Sequence, residues 1–461
     1  MITVIIPVLF LMLVSAVKKV PLIGGNLIAA FVGTGVLALV LGGVYDPVVW
    51  AQAWLTGLNQ VAFIIFIVIF GSIFSALQVK SGAMDTVLNV LRAIFGHTPQ
   101  GLVLAILIAM CLGGSLVGTV SAVGAVIGML VVPAMDDMGL DPDMNCAIIV
   151  TGGSLGAIMP PISNAINVAC SILGIPTDHV LQISYLTVGA AFALTCIFVC
   201  KVYIGDKYKM PQHLIPTEKA ASILKREWRK LIPLMVLILL VALNSIPAIS
   251  FDATSTLMKA VPMGGSNLYA CLSSVPVIGQ VTNNIVMALF VAIVVAIAIT
   301  PELRQNTAAD LAKSLRAVRV SVLIQIFAGF FLGAFRAGGQ IAVISEWAAG
   351  LSAVALKLGG AGALILGGML VGAQSTTQTT LLPILGPAWM ATGVSDIHAA
   401  VASSHLAAAG QGLPPADLNT FVIAGLVSSL LQKEVNPMKS MILTAPYCIL
   451  LAIIGLAFLF I

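Results

Sequence analysis

The residues best placed to do chemistry in this chain lie in two broken-looking stretches, GGSLGAIMPPISNAIN at 152–167 and AAAGQGLPPADLN at 407–419. Each sets tandem prolines beside glycines. The first adds Ser154 and Asn164, the second Asp417 and Asn419. The flanks of the first, CAIIV (146–150) and VACSILGI (168–175), are apolar enough to lie in lipid. Each proline removes a backbone donor and clashes with the preceding turn, so no regular helix runs through the pair. In hydrocarbon, broken backbone survives only where it is buried in protein or lines a cavity. Unwound carbonyls can hold Na⁺, and a half-helix N-terminus can hold an anionic group. The alternative is a pair of proline kinks that serve packing alone.

A second pair of stretches, GTVSAVGA (118–125) and GAQSTTQTT (372–380), combines glycine with hydroxyl and amide side chains. Glycine-rich tips suit helical hairpins that turn within a membrane. Ser121 in the first, and Ser375, Thr376, Thr377 and Gln378 in the second, can complete an ion or carboxylate site. The competing role is close helix approach through small residues. Candidate substrate ligands are therefore Ser121, Ser154, Asn164, Ser375, Thr376, Thr377, Gln378 and Asn419. His405 and Asp417 are ionisable at the depth of the second break, where such groups are costly unless paired or functional. They are candidates for proton coupling, and Asp417 for Na⁺ as well. The plainer roles are a satisfied core histidine and a helix N-cap.

No catalytic set accompanies these residues: there is no Walker loop, GxSxG, HExxH or Cys–His–acid pairing. The expectation is a non-enzyme driven by an ion gradient or a separate subunit.

The elements that position these groups follow from composition. The 461 residues are 60% hydrophobic and 8% charged, against roughly 25% charged in water-soluble domains. A span needs about 20 apolar residues, and the chain supplies such segments from end to end. The roughly 10-residue alternation of a membrane barrel is missing. The net charge of +4 concerns membrane topology, not nucleic acid. The seven cysteines form no CxxC and read as small buried hydrophobes. The first residues lack a basic n-region and a small-residue cleavage site, so they read as a first span.

Ten full spans are expected: 2–17, 27–45, 61–79, 143–173, 182–204, 231–249, 281–300, 317–336, 396–430 and 440–461. Segments 101–137 and 361–393 suit re-entrant hairpins, and the amphipathic pieces 46–58, 83–97 and 340–357 suit the interface. The polar segment 201–230 carries eight basic and three acidic residues, which places it in the cytoplasm. Both termini then face the exterior. Arg336 also falls outside, where it can attract anions or snorkel. Asp136, Asp137, Asp141 and Asp143 fall at a cytoplasmic turn as solvated caps.

The two halves repeat. Gly118 and Gly372, Ser121 and Ser375, Pro133 and Pro387, Gly139 and Gly393, Gly156 and Gly410, Pro160 and Pro414, and Pro161 and Pro415 are each 254 positions apart. Five full spans per half, an odd number, make the repeat an inverted one. The expected fold is an all-α polytopic membrane protein of two inverted repeats, each with a re-entrant hairpin and a broken helix. The first repeat is 1–205 (hairpin 101–137, broken helix 143–173) and the cytoplasmic linker 206–230. The second repeat is 231–461 (hairpin 361–393, broken helix 396–430).

The run SGAMDTVLNVLRAIFGHTPQGLVLA (81–105), followed by residues 113–163 with their Gly/Ser-rich hairpin and G-x-x-x-P-P break, resembles the large membrane subunit of tripartite ATP-independent periplasmic (TRAP) transporters. The resemblance covers about 81–176 and, in register, 361–440. It implies the elevator-type ion-transporter fold, Na⁺ coupling, and small organic acids as substrates. It also implies that tips and breaks build the sites, at positions matching Gly118, Ser121, Gly156, Pro160, Gly372, Ser375, Gly410 and Pro414. Asp417, Asn419 and His405 depart from that pattern.

The expected function is Na⁺-coupled import of a small organic anion across a bacterial inner membrane, as a large permease or a stand-alone relative. A separate small membrane subunit and an extracytoplasmic binding protein are the implied partners. The alternatives are a cation/proton antiporter using Asp417 and His405, and a non-transporting receptor or scaffold.

Overall fold

The computed structural model describes residues 2–16, 26–118, 120–245, 252–263, 265–305, 307–350, 352–415 and 417–461. The first half contains α1 (Ile2–Ala16), α2 (Leu27–Leu41), α3 (Pro47–Lys80), α4 (Ala83–Phe95), α5 (Pro99–Val117), α6 (Val120–Asp137), α7 (Pro142–Ile158), α8 (Asn164–Leu173) and α9 (Thr177–Phe198). The second begins with α10 (Ala220–Ser245), α11 (Ala253–Lys259), α12 (Leu268–Ser273), α13 (Asn284–Ile299) and α14 (Pro301–Arg304). It continues with α15 (Thr307–Ala337), α16 (Gln340–Ala349), α17 (Ala353–Val371), α18 (Gln374–Ala391), α19 (Asp396–Gly412), α20 (Leu418–Leu431) and α21 (Pro437–Phe460). One two-stranded ribbon, Pro262–Met263 with Ser266–Asn267, is the only sheet among the described residues. The chain is an all-α polytopic membrane protein, and among the described residues five helices are long and apolar enough to cross a bilayer.

The repeat reaches the level of helix boundaries. Helices α17, α18 and α19 begin and end 254 positions after α5, α6 and α7, and α20 begins 254 after α8. The hairpin α5–α6 turns at Gly118 (φ 71°) and the hairpin α17–α18 at Gly372 (φ 68°). Both lie in the left-handed region that glycine enters without steric cost.

Glycines also set the helix crossings. A Cβ at Gly156 would lie 2.4 Å from the Cys111 carbonyl, and one at Gly410 would lie 2.3 Å from the Ile365 carbonyl. These are equivalent contacts, in which α7 meets α5 and α19 meets α17 backbone to backbone. Helices α3 and α15 cross as closely, through Gly57, Gly329 and Gly333. Without a hydrophobic drive between helices in lipid, such small-residue contact supplies the association.

Several expected boundaries shift. Segment 46–58 is not a separate piece: it joins span 61–79 in the 34-residue α3. Asp46 caps that helix, Pro47 fits its first turn, and nothing between Val48 and Val61 breaks it. Segment 340–357 divides, because Ser352 caps a new helix through Ala355 N at 3.3 Å. The second hairpin therefore starts at Ala353. The end of the expected linker is already helical, as the first turns of α10. Residue 17 of the first expected span and residues 246–249 of the sixth lie outside the described residues.

The acidic turn is more than a set of solvated caps. Asp141 does cap α7, but Lys433 pairs with Asp136 at 2.6 Å, and Lys439 pairs with Asp143 at 2.9 Å. Charges on the first half thus hold the α20–α21 turn of the second. The backbone N–H of Asp143, and then Lys439, hold the Asp141 carboxyl below its ordinary range. At the base of α10, Glu227 accepts the Thr86 hydroxyl at 2.7 Å and meets Lys230 and Arg226. The Thr86 hydrogen bond first, and then those two cations, bring its carboxyl down to about 2.

Candidate functional site

Each broken helix is stopped and restarted by its local sequence. Helix α7 ends at Ile158, Met159 is extended, and the Pro160–Pro161 peptide is cis. Helix α8 restarts on the Ser163 cap, whose Oγ accepts Ile166 N at 3.3 Å. The second break has the same form: α19 ends at Gly412, Leu413 is extended, and Pro414–Pro415 is cis. There Asp417 caps α20, accepting Asn419 N (3.1 Å), Thr420 N (3.3 Å) and the Thr420 hydroxyl (2.5 Å).

Each break is tied to its own hairpin tip at equivalent positions. Asn164 Nδ2 donates to the Gly118 carbonyl at 3.2 Å, and Leu418 N donates to the Gly372 carbonyl at 3.4 Å. The second tip has an additional tie. Gln374 opens α18 behind Ala373, which has no side chain able to cap it. Gln411 Oε1 accepts the Gln374 N–H at 2.7 Å and serves as a cap supplied from α19.

Between these pieces and α3 and α15 lies a cavity of about 520 Å³. Both tips line it through Gly118, Gly372, Ser375 and Thr376, and both restarts line it through Asn164 and Asn419. Ser72 and Ser75 of α3 and Gln325 of α15 face it from the other side. Among the described residues, no lining residue carries a charge. Yet Val120, Asn164, Gln374 and Leu418 all line it, and they are the first residues of α6, α8, α18 and α20. Four helix N-termini therefore converge on one neutral cavity. Each brings the positive end of a helix dipole, which at α20 meets the Asp417 carboxylate that caps it.

Of the expected site residues, Gly118, Asn164, Gly372, Ser375, Thr376 and Asn419 come together at the cavity. Ser121 lies in the first turn of α6, and its side chain is outside those described. Thr377 turns away and bonds the Ala373 carbonyl at 3.0 Å. Gln378 is fully buried and donates to Ser403 and Ser404. Ser154, on α7, is buried and does not line the cavity. Gly156 and Gly410 sit at the helix crossings, and Pro160 and Pro414 form the breaks without lining the cavity.

His405 is fully buried; its Nδ1 donates to the Val401 carbonyl at 2.8 Å and its Nε2 meets the Thr187 hydroxyl at 2.9 Å. That is the pattern of a satisfied core histidine. Asp417 is fully buried too, with no Lys or Arg paired to it among the described residues. Gln374, Gln411, Ser72, Ser75 and Gln325 are lining residues that the sequence reading passed over.

The comparisons with known proteins agree with this architecture. The family model "Tripartite ATP-independent periplasmic transporter, DctM component" matches residues 5–461. A segment of 80 residues, 17% of this chain, is 34% identical to the C4-dicarboxylate TRAP transporter large permease protein DctM of Rhodobacter capsulatus. The match spans 18% of that relative. The crystal structure of the Alcanivorax borkumensis YdaH transporter has a similar fold, with a TM-score of 0.66 at 15% identity. That likeness covers 94% of this chain and 97% of the other.

Proposed function

The chain belongs to the DctM family of tripartite ATP-independent periplasmic transporters, and from that premise we propose that this secondary transporter imports a small organic anion with Na⁺. The observation that carries the anion is the convergence of four helix N-termini on a cavity with no charged lining residue among those described. A carboxylate there meets the positive ends of those helices and the Ser375, Thr376 and Asn164 side chains; the Asp417 carboxylate, beside the lining residues Leu418 and Asn419, is itself held by the α20 N–H groups and the Thr420 hydroxyl. The printed substrate class of the R. capsulatus relative, C4-dicarboxylates, gives the first compounds to try.

Na⁺ coupling is supported by the opposite helix ends. Helices α5, α7, α17 and α19 stop at the tips and breaks, leaving carbonyl oxygens beside the resumed helices. Asp417 adds a buried carboxylate without a basic partner among the described residues, and such a charge calls for a cation. We assign Gly118, Ser121, Gly156, Pro160, Gly372, Ser375, Gly410, Pro414 and Asp417 to the two ion-binding regions, through backbone carbonyls except at Ser121, Ser375 and Asp417.

In this reading 1–205 and 231–461 are the inverted repeats joined by a cytoplasmic linker, in a bacterial inner membrane with both termini outside. The hairpins and broken helices move together against α3 and α15. A small membrane subunit and an extracytoplasmic binding protein complete the system as separate chains.

Uptake into proteoliposomes tests the proposal. Accumulation of a radiolabelled dicarboxylate that depends on external Na⁺ is expected. Na⁺-driven alkalinisation of the lumen without any organic acid would instead mark an antiporter. Thermal stability unmoved by Na⁺ and by every organic acid tried would mark a non-transporting scaffold.

A further inference from the structure

A second cavity, of about 450 Å³, lies further along α3 toward its Pro47 end. Thr56, Asn59, Gln60 and Phe63 of α3 line it, as do Cys170 and Ser171 of α8. The central cavity uses the next turns of the same two helices, Ile64, Ile67 and Ser72 of α3 with Asn164 and Val168 of α8. The two spaces are therefore stacked along one groove. Phe63 is buried there, and α3 and α8 are tied by a reciprocal pair, in which Gln60 Nε2 donates to the Ser171 and Ile172 carbonyls and the Ser171 hydroxyl donates to the Gln60 carbonyl.

Three lining side chains of this second space, Arg336, Asn59 and Asn283, present donors. Arg336, at the end of α15, is its sole charged lining residue, and no carboxylate pairs with it among the described residues. Two lining amides are oriented by the backbone. The Asn59 side-chain oxygen accepts Val277 N at 2.8 Å, and the Asn283 side-chain oxygen accepts Ile285 N at 3.0 Å as the cap of α13. With both carbonyl ends occupied, each amide is left with its NH₂ end, which can only donate. A guanidinium with two such amides suits a carboxylate, which has two acceptor oxygens and no proton to give.

We propose that this cavity is a second anion subsite, which takes a carboxylate on the Arg336 guanidinium and the Asn59 and Asn283 amides before it reaches the central cavity. Its place as the mouth of the path rests on the organic-anion reading above; the binding itself does not. In that role the Gln60–Ser171 pair and Phe63 form the barrier that parts when α8 slides along α3.

The test is a crystal of the full chain soaked with 4-bromobenzoate, an unreactive carboxylate whose bromine is located by anomalous scattering. A bromine peak in the cavity beside Arg336 is expected. Asn59→Asp keeps the acceptor for Val277 N, and Asn283→Asp keeps the cap of α13, so both variants fold while losing a donor and gaining a repelling charge. Each of these, and Arg336→Gln, should raise the half-occupancy concentration about tenfold or more, the effect of one charge-assisted hydrogen bond. Arg336→Lys should retain part of the binding. A peak confined to the central cavity, no peak at all, or one unmoved by all three variants overturns the inference. A central-cavity peak alone leaves the carrier reading intact, whereas a peak at Arg336 in a protein that fails every uptake assay supports the subsite and removes its role as a mouth.

Discussion

Replacing Gln411 by Leu should loosen the second hairpin tip and leave the first unchanged. The Gln374 N–H opens α18 with no cap from Ala373, and Gln411 Oε1 at 2.7 Å is its partner. Both side chains are more than nine-tenths buried. An N–H left without a partner in such a place costs about 1–3 kcal/mol, which raises the population of the opened tip by roughly fivefold to 150-fold. Hydrogen exchange measured by mass spectrometry on a peptide covering 371–377 reads this directly, with a peptide covering 117–123 as the internal reference. Gln411→Glu retains an acceptor and should exchange close to wild type. Equal exchange in wild type and Gln411→Leu would refute the argument, as would Gln411→Glu exchanging as fast as Gln411→Leu.

Three further outcomes follow from the geometry. Gly156→Ala and Gly410→Ala each force a Cβ to within 2.4 Å and 2.3 Å of a carbonyl oxygen, so thermal midpoints in detergent should fall, by about 1–3 kcal/mol of stability. Gly359→Ala and Gly362→Ala, where nothing stands within 4 Å, should change nothing. Glu227 is held down at about 2 against an ordinary 4.5, so its contribution is complete above pH 4.5 and is lost as pH falls toward 2. The destabilisation caused by Glu227→Gln, measured by thermal unfolding, should therefore be largest near neutrality and shrink through that window. Asp417→Asn retains a good N-cap and should stay folded, but Na⁺ should no longer accelerate uptake; unchanged Na⁺ dependence would assign Asp417 to capping alone.

The breaks and tips were legible because proline and glycine act on the backbone at their own positions. Pro160–Pro161, Pro414–Pro415, Gly118 and Gly372 need no tertiary information to be read as discontinuities. The face of each helix was not legible. Thr376 and Thr377 are neighbours, yet the first lines the cavity and the second bonds back to Ala373. Depth in the membrane is written in the sequence, but rotation about the helix axis is set by what packs behind. Gln411 left a usable trace: it stands where the first repeat has Ala157, so a polar group breaks the symmetry at the tip. Ser72, Ser75 and Gln325 left a weaker one, as polar residues inside otherwise apolar spans. Segment 46–58 reads as a separate piece because its amphipathic pattern differs from the apolar run that follows. Continuity of the backbone into 61–79 depends only on the lack of a breaker.

The central claim is that one cavity, built equally by both repeats, holds the cargo. Uptake measured on two single variants tests it most directly: Asn164→Leu fills the cavity from the first repeat and Ser375→Leu from the second. Each should abolish Na⁺-driven organic-acid accumulation in proteoliposomes, with folding verified by an unchanged elution profile and thermal midpoint. Full uptake in either folded variant would show that the cargo passes without that half, and would contradict the account.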